Sequence, residues 1–146
     1  MRVQKIATGG FGDPLNHYAH SGAWFKGRLF IGTSRANLQF LKLGKLSVDI
    51  PQWPVNSLGV NYTSEFEKRI APAEIWSVSD QKTDRFVCKR LYQSPYHPLS
   101  TAQKPFRAEI SYRSMCVFKE NGADQALYVA TTSRSEGDGP DLLYSK

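Results

Sequence analysis

Apolar and β-branched residues occur in short runs separated by turn residues, and no stretch repeats them at the spacing of a helix face. The clearest pair of runs is residues 21–25 and 29–33, which are joined by Lys26-Gly27-Arg28. A glycine in so short a turn between two apolar runs is typical of a β-hairpin. The pattern therefore predicts an all-β protein built from short antiparallel strands.

A second hairpin of the same kind is predicted further along the chain, from residues 114–119 and 127–131 with a longer polar turn between them. Ser21 and Ser114 lie 93 residues apart, and Leu29 and Leu127 lie 98 residues apart. The difference of 5 residues is the additional length of the second turn. The two hairpins therefore predict an internal repeat.

Each hairpin is followed by a third strand-like run, residues 74–78 in the first copy and 141–145 in the second. These runs lie only 67 residues apart, so the first copy holds 31 more residues between its second and third strands. The insertion lies within residues 35–73 and contains Pro51, Trp53 and Pro54. A long segment of this composition predicts an excursion over the surface.

A fourth strand is predicted only in the first copy, at residues 85–92, where it ends before Ser94-Pro95. The sequence Val3-Gln4-Lys5-Ile6 has an order of residue types similar to that of Cys88-Lys89-Arg90-Leu91, and a turn follows both. Residues 1–8 are therefore the candidate for the outer strand that the second copy lacks.

Four antiparallel strands with turns between them form the blade of a β-propeller. Residues 9–21 (GGFGDPLNHYAHS) and 24–33 (WFKGRLFIGT) together resemble the blade signature of kelch-like, galactose-oxidase-type bacterial propeller proteins. Residues 73–76 (AEIW) and 91–95 (LYQSP) resemble the third and fourth strands of that blade. His20 and Gly22 depart from the pattern, because such blades commonly have a large aromatic residue and a bulky apolar residue there. The resemblance implies a fold and not a reaction.

On this interpretation residues 1–146 form a single partial β-propeller domain. Residues 18–95 are the first blade with its insertion, and residues 109–146 are a second blade without its outer strand. Propellers contain about four to eight blades, so about two blades per chain require others to complete a ring. We expect a homo-oligomer closed by the N-terminal strand of a neighbouring protomer, another propeller-bearing chain that supplies the blades, or a longer gene of which this is a piece.

Composition supports one globular domain, since 146 residues with 40% hydrophobic and 22% charged content exclude a multidomain enzyme. The net charge is +6, but the basic residues are scattered without a run of five or more, so no nucleic-acid partner is predicted. Neither a signal peptide nor a run of about 18 apolar residues is evident. These features predict a cytoplasmic location and no membrane partner.

Few residues point to catalysis. Cys88 and Cys116 lie in apolar runs and are expected to be unpaired, packed thiols. The spacing His17-x-x-His20 brings two imidazoles together, but no third ligand set is evident, so neither a metal nor another cofactor is predicted. No catalytic residue is assigned.

These observations predict a non-catalytic interaction or scaffold module that binds a protein partner through its rim loops and the insertion. One alternative is a lectin-like module that binds a carbohydrate or small molecule on aromatic surfaces. Another is an oxidase-type enzyme whose site is completed by another chain. The candidate ligand-binding residues at the rim or channel are Tyr18, His20, Tyr112, Arg113 and Trp53. Among them, His20 and Arg113 occupy equivalent positions of the repeat.

Overall fold

A computed structural model describes residues 3–13, 16–35, 72–80, 86–103, 107–119, 125–133 and 139–146. After a short 3-10 turn at Gly9–Gly12, these residues contain seven strands: β1 (Asn16–Phe25), β2 (Arg28–Arg35), β3 (Glu74–Asp80), β4 (Phe86–Gln93), β5 (Glu109–Phe118), β6 (Ala126–Ser133) and β7 (Leu142–Ser145). All strand pairs are antiparallel. The predicted all-β class is confirmed.

The strands form two meanders, β1 to β4 and β5 to β7, in which each strand pairs with the next along the chain. Lys26 and Gly27 join β1 to β2 with φ angles of 46° and 71°. Positive φ at both residues matches the twist of a two-residue hairpin, and glycine adopts it without a steric penalty. A single pair, Ser34 of β2 with Ser111 of β5, connects the meanders into one sheet.

The internal repeat predicted from the sequence offsets is present in the strand registers. Trp24 pairs with Leu29 in the first hairpin, and Val117 pairs with Leu127 in the second, which preserves the offsets of 93 and 98 residues. The register irregularities recur at the same offset, lying between Asn16 and Tyr18 and between Ala19 and Ser21 in β1, and between Glu109 and Ser111 and between Tyr112 and Ser114 in β5. The two hairpins therefore have equivalent backbone structure.

The third strand of each meander begins with the same hydrogen bond. The backbone N–H of Glu74 donates to the Thr33 hydroxyl at 3.0 Å, and that of Asp141 donates to the Thr131 hydroxyl at 2.8 Å. The threonines are 98 residues apart and the acidic residues 67 apart, as the sequence offsets predict. Equivalence thus extends to the third strand.

The hydrophobic core is shared by the two meanders. Its central buried residues are Phe25 and Ile75 from the first meander, Ala73 directly before β3, and Tyr112, Leu127 and Val129 from the second meander. The meanders approach closely at Gly32, where an added Cβ would lie 2.7 Å from the Tyr112 Cβ and 2.6 Å from the Ser21 Oγ. The Ser21 hydroxyl also donates to the Tyr112 carbonyl at 2.7 Å. Glycine at position 32 therefore permits this close packing.

Both cysteines are free, but only Cys88 is partly buried. The prediction of a packed thiol is wrong for Cys116, which is exposed. Successive side chains of a strand point to opposite faces, and its neighbours Met115 and Val117 are the ones that pack against the core. Cys116 consequently faces the other side of β5.

Residues 3–8 form no strand in this chain, so the predicted outer strand stays a prediction. Residues 36–71, which make up most of the predicted insertion and include Trp53, lie outside the described residues. Within the described ranges, no helix has the length and hydropathy needed to cross a bilayer.

Candidate functional site

The free edge of β7, here called the β7 edge, is the first feature of the candidate site. β7 pairs with β6 on one side and with no described strand on the other. The Thr131 N–H donates to the Asp141 carbonyl at 3.0 Å, and backbone groups alternate sides along an antiparallel strand. The backbone groups of Leu142 and Tyr144 therefore point away from β6, toward this edge. The side chains of these residues are 66% and 64% exposed.

A groove of about 510 Å³ lies beside this edge, between the two meanders. Its lining is mainly apolar and includes Ile75, Leu91 and Tyr92 from the first meander and Val129, Leu142 and Leu143 from the second. We call it the inter-meander groove. An apolar concavity next to an unpaired strand offers both backbone hydrogen bonds and side-chain burial to an extended peptide.

Tyr92 lines the groove, and its surroundings disfavour the ionised form of its hydroxyl group. Burial raises the pKa of Tyr92, and the negative charges of Glu109 and Asp141 raise it further. Its ring meets that of Tyr112 edge to face at a centroid distance of 6.1 Å. Tyr92 therefore stays neutral and contributes an aromatic wall with a hydroxyl group.

A fully buried carboxylate, Glu74, organises one end of the first meander. Four side chains donate to it: Asn16 at 2.8 Å and Trp76 at 3.0 Å to Oε2, and Arg90 at 2.9 Å and Gln93 at 3.3 Å to Oε1. These five residues are called the Glu74 cluster. Each carboxylate oxygen has two donors, so the buried charge is well compensated and the cluster links β1, β3 and β4.

The 3-10 turn before β1 packs on the Glu74 cluster. Phe11 stacks on Trp76 with ring centroids 5.2 Å apart and an interplanar angle of 16°. The Asn16 amide also donates to the Gly10 carbonyl at 2.9 Å. Gly10 has a φ of 63°, and a Cβ there would lie 2.9 Å from that of Asn16. The turn therefore fixes the point from which residues 3–8 extend.

A second buried acid, Glu109, holds the link between the meanders. The Ser94 hydroxyl donates to its carboxylate, and the Glu109 N–H donates back to the Ser94 oxygen at 2.8 Å. The Ser94 N–H donates to the Ala73 carbonyl at 2.9 Å, and Arg107 donates to the Ser94 carbonyl at 3.2 Å. Ser94 thus ties the end of β4 to the starts of β3 and β5.

The structure brings together only some of the residues that the sequence singles out. Tyr18 and His20 are exposed on β1 with ring centroids 6.2 Å apart, and the His20 Nδ1 lies 3.0 Å from the Ser111 hydroxyl. Arg113 is exposed on β5. Tyr112 is instead fully buried in the core and presents no surface to a ligand. Trp53 lies outside the described residues.

The Glu74 cluster and the β7 edge are absent from the residues singled out in the sequence. Asn16 and Arg90 lie 58 and 16 residues from Glu74, and strand register alone brings them together. The run Leu142-Leu143-Tyr144 could have indicated this edge from the sequence. The second copy of the repeat lacks a predicted fourth strand, and apolar residues on an unpaired strand indicate a binding edge. Among the described residues, no group of three or more His, Cys, Asp or Glu side chains is placed to bind a metal ion.

No protein-family model, curated protein or solved structure matches the chain. The interpretation of the meanders as propeller blades stays a prediction from the sequence.

Proposed function

We propose that the protein is a non-catalytic assembly module of kelch-like β-propeller type, in which the meanders are blades and the β7 edge binds a strand from a further copy of the chain. The observation that carries this proposal is the contrast between the equivalent strands β3 and β7. β4 covers β3 along its length, whereas β7 has an unpaired edge among the described residues. A partner strand at β7 would give the second blade the same four-stranded arrangement as the first.

The exposed side chains at this edge support the proposal. Leu142 and Tyr144 lie on a strand whose outward backbone groups pair with no other part of the chain that the structure describes, and an exposed apolar edge is a template for pairing with another chain. A strand added there would also enter the inter-meander groove and cover Leu91. Pairing would therefore satisfy backbone groups and remove apolar surface from water together.

The polar groups inside the molecule favour an architectural role over catalysis. Both oxygens of the Glu74 carboxylate already accept side-chain hydrogen bonds, and the Glu109 carboxylate is engaged by Ser94. Both acids are therefore engaged in contacts that hold strands together.

Light scattering of the purified chain over a wide concentration range tests the proposal. We expect a mass that is a multiple of 16.5 kDa and falls on dilution. Leu142→Pro removes an N–H at the β7 edge without removing one that faces β6, and should lower the mass to that of one chain. Leu99→Pro is the matched control: it also removes an exposed N–H, one that donates to the His97 Nδ1 at 3.1 Å in a loop outside β7, and it should leave the assembly intact. A mass of 16.5 kDa for the unaltered chain at every concentration contradicts the proposal.

The inter-meander groove supports a second candidate function, the binding of a small apolar molecule. Its volume falls within the range of about 300–1,000 Å³ found for ligand sites, and apolar side chains dominate its lining. This lining suits an apolar ligand better than a carbohydrate, which needs many polar partners. Titration with the dye 8-anilinonaphthalene-1-sulfonate tests it. Saturable binding by the assembled chain would support a ligand site, and binding only by the Leu142→Pro monomer would show that a strand fills the groove.

A further inference from the structure

We propose that residues 3–8 of a second copy form the strand that pairs with β7, and that Lys5 of that copy makes an ion pair with Asp141. The inference rests on the proposed function and names the segment that occupies the β7 edge. It is drawn from the equivalence of the meanders, because β4 shows how a fourth strand is placed.

The first meander supplies the template for the register. In it, Val78 pairs with Cys88 and Trp76 pairs with Arg90. The equivalents of Val78 and Trp76 in the second meander are Ser145 and Leu143, which occupy the same positions opposite β6 as Val78 and Trp76 do opposite β2.

Residues 3–6 match residues 88–91 in the order of their side-chain types. Placing Val3 where Cys88 lies sets Val3 opposite Ser145 and Lys5 opposite Leu143 of the other copy. The template therefore predicts one specific register.

Charge complementarity supports this register. In the first meander Arg90 of the fourth strand donates to Glu74, the first residue of the third strand, at 2.9 Å. The equivalent of Glu74 is Asp141, and the register places Lys5 at the position of Arg90. Asp141 and Lys5 are both exposed in the single chain, so each is available to the other. An opposite-charge pair at this point would reproduce the β3–β4 interaction in the second meander.

Residues 3–8 have the properties expected of an exchanged strand. They pair with none of the described strands of their own chain, and Val3 is 82% exposed. Thr8 is extended, with φ −138° and ψ 163°. The 3-10 turn that follows is held in place by the stacking of Phe11 on Trp76. The segment, here called the arm, thus joins the fixed turn through an extended residue.

The contact is head-to-tail, since the arm and the β7 edge are different surfaces of the chain. Such a contact closes into a ring when the rotation between copies permits it. The arm comes before β1 of its own chain, just as β4 comes before β5. If the arm pairs with β7 of another copy, its own first meander would lie next to the second meander of that copy, as the two meanders of one chain lie next to each other. The intramolecular packing of the meanders would then be repeated between copies.

Charge reversal tests the ion pair. Lys5→Glu and Asp141→Lys should each weaken self-association about tenfold by sedimentation, and the double variant should recover most of the loss. Asp141→Lys should keep the described hydrogen bonds between Asp141 and Thr131, because Asp141 contributes only its backbone groups to them. Lys26→Glu, at the exposed β1–β2 turn, is the control and should have no effect. Unchanged association in both single variants would overturn the ion pair.

Crosslinking tests the register and the identity of the arm. One chain carries Val3→Cys and another carries Ser145→Cys, both in a background with Cys88→Ser and Cys116→Ser. Mixing and mild oxidation should give a disulfide-linked dimer, whereas Gln4→Cys in place of Val3→Cys should give much less. Self-association without this crosslink would overturn the inference and leave the proposed function standing with another segment. A monomer at every concentration would overturn both.

Discussion

Glu74 and Arg90 form an ion pair at 2.9 Å in which the acid is almost completely buried and the base is half exposed, with side-chain exposures of 1% and 51%. A buried carboxylate is tolerated because hydrogen bonds and an opposite charge replace the water that it has lost. Since Asn16 also donates to Glu74, one carboxylate links β1, β3 and β4. The pair is therefore a structural element of the first meander.

Replacing Glu74 by Gln should destabilise the fold by about 2–4 kcal/mol, because an amide has one accepting oxygen and leaves two of the four donors without a partner. Chemical denaturation at neutral pH measures the change in the free energy of unfolding. Arg113→Gln removes a charge from an exposed strand position and should change it by less than about 0.5 kcal/mol. Equal effects of the two substitutions would contradict a structural role for the carboxylate.

Much of the strand arrangement could be predicted from the sequence because turn residues and apolar runs recur at fixed offsets. The start of β1 is different. Residues 16–20 (NHYAH) lack apolar alternation, and register irregularities fall at both ends of this segment, so the predicted strand began at Ser21 although the observed one begins at Asn16. The five equivalent residues of the second hairpin, 109–113, are likewise absent from the predicted strand, which starts at Ser114. A periodic pattern cannot identify a strand whose period is interrupted by bulges.

The candidate site was harder to predict than the strands. The repeat register predicts Tyr112 at an accessible rim, but its side chain faces the core between the meanders. Which face of a strand is covered depends on how the meanders pack, and a single strand does not carry that information. The Glu74 cluster was missed for a related reason, because its partners come from distant strands.

Gly32→Ala should destabilise the packing between the meanders by about 1–3 kcal/mol. The new methyl group would lie 2.7 Å from the Tyr112 Cβ and 2.9 Å from the Met115 Cε, so the backbones would have to separate. Gly22→Ala is the matched control, since the nearest atom to a Cβ there is the Phe30 carbonyl oxygen at an ordinary 3.4 Å. Thermal unfolding of the two variants should show a large decrease in Tm for the first alone. Similar Tm values would show that the contact at Gly32 yields without cost.

Ser94→Ala should weaken the link between β4 and β5. The substitution removes the hydroxyl that donates to the buried Glu109 carboxylate and accepts from the Glu109 N–H. Two buried groups would lose a partner, which should cost about 2–4 kcal/mol. Ser94→Thr retains the hydroxyl and should recover part of this loss. Denaturant titration distinguishes the two, and an alanine variant as stable as the unaltered chain would contradict the assigned role of Ser94.

Tyr112→Phe should change the response of the fold to alkaline pH. Burial raises the pKa of Tyr112 well above its usual value of 10.0, and the negative charge of Glu109 adds to this effect. Above pH 10 the unfolded chain therefore binds fewer protons at this residue than the native chain, and stability falls by up to about 1.4 kcal/mol for each pH unit. Phenylalanine cannot ionise, so the variant should lose stability more slowly between pH 10 and 11.

The same substitution should be neutral or slightly stabilising at pH 7. The Tyr112 hydroxyl lies beside the Ser94 hydroxyl but makes no hydrogen bond of ordinary geometry with any described residue. Removing a buried polar group without a partner costs no interaction and avoids its desolvation. Urea denaturation at pH 7, 10 and 11 measures both effects, with Tyr144→Phe at the exposed β7 edge as the control. If the free energy of unfolding of Tyr112→Phe fell with pH in parallel with that of the unaltered chain, the ionisation of Tyr112 would not contribute to alkaline unfolding.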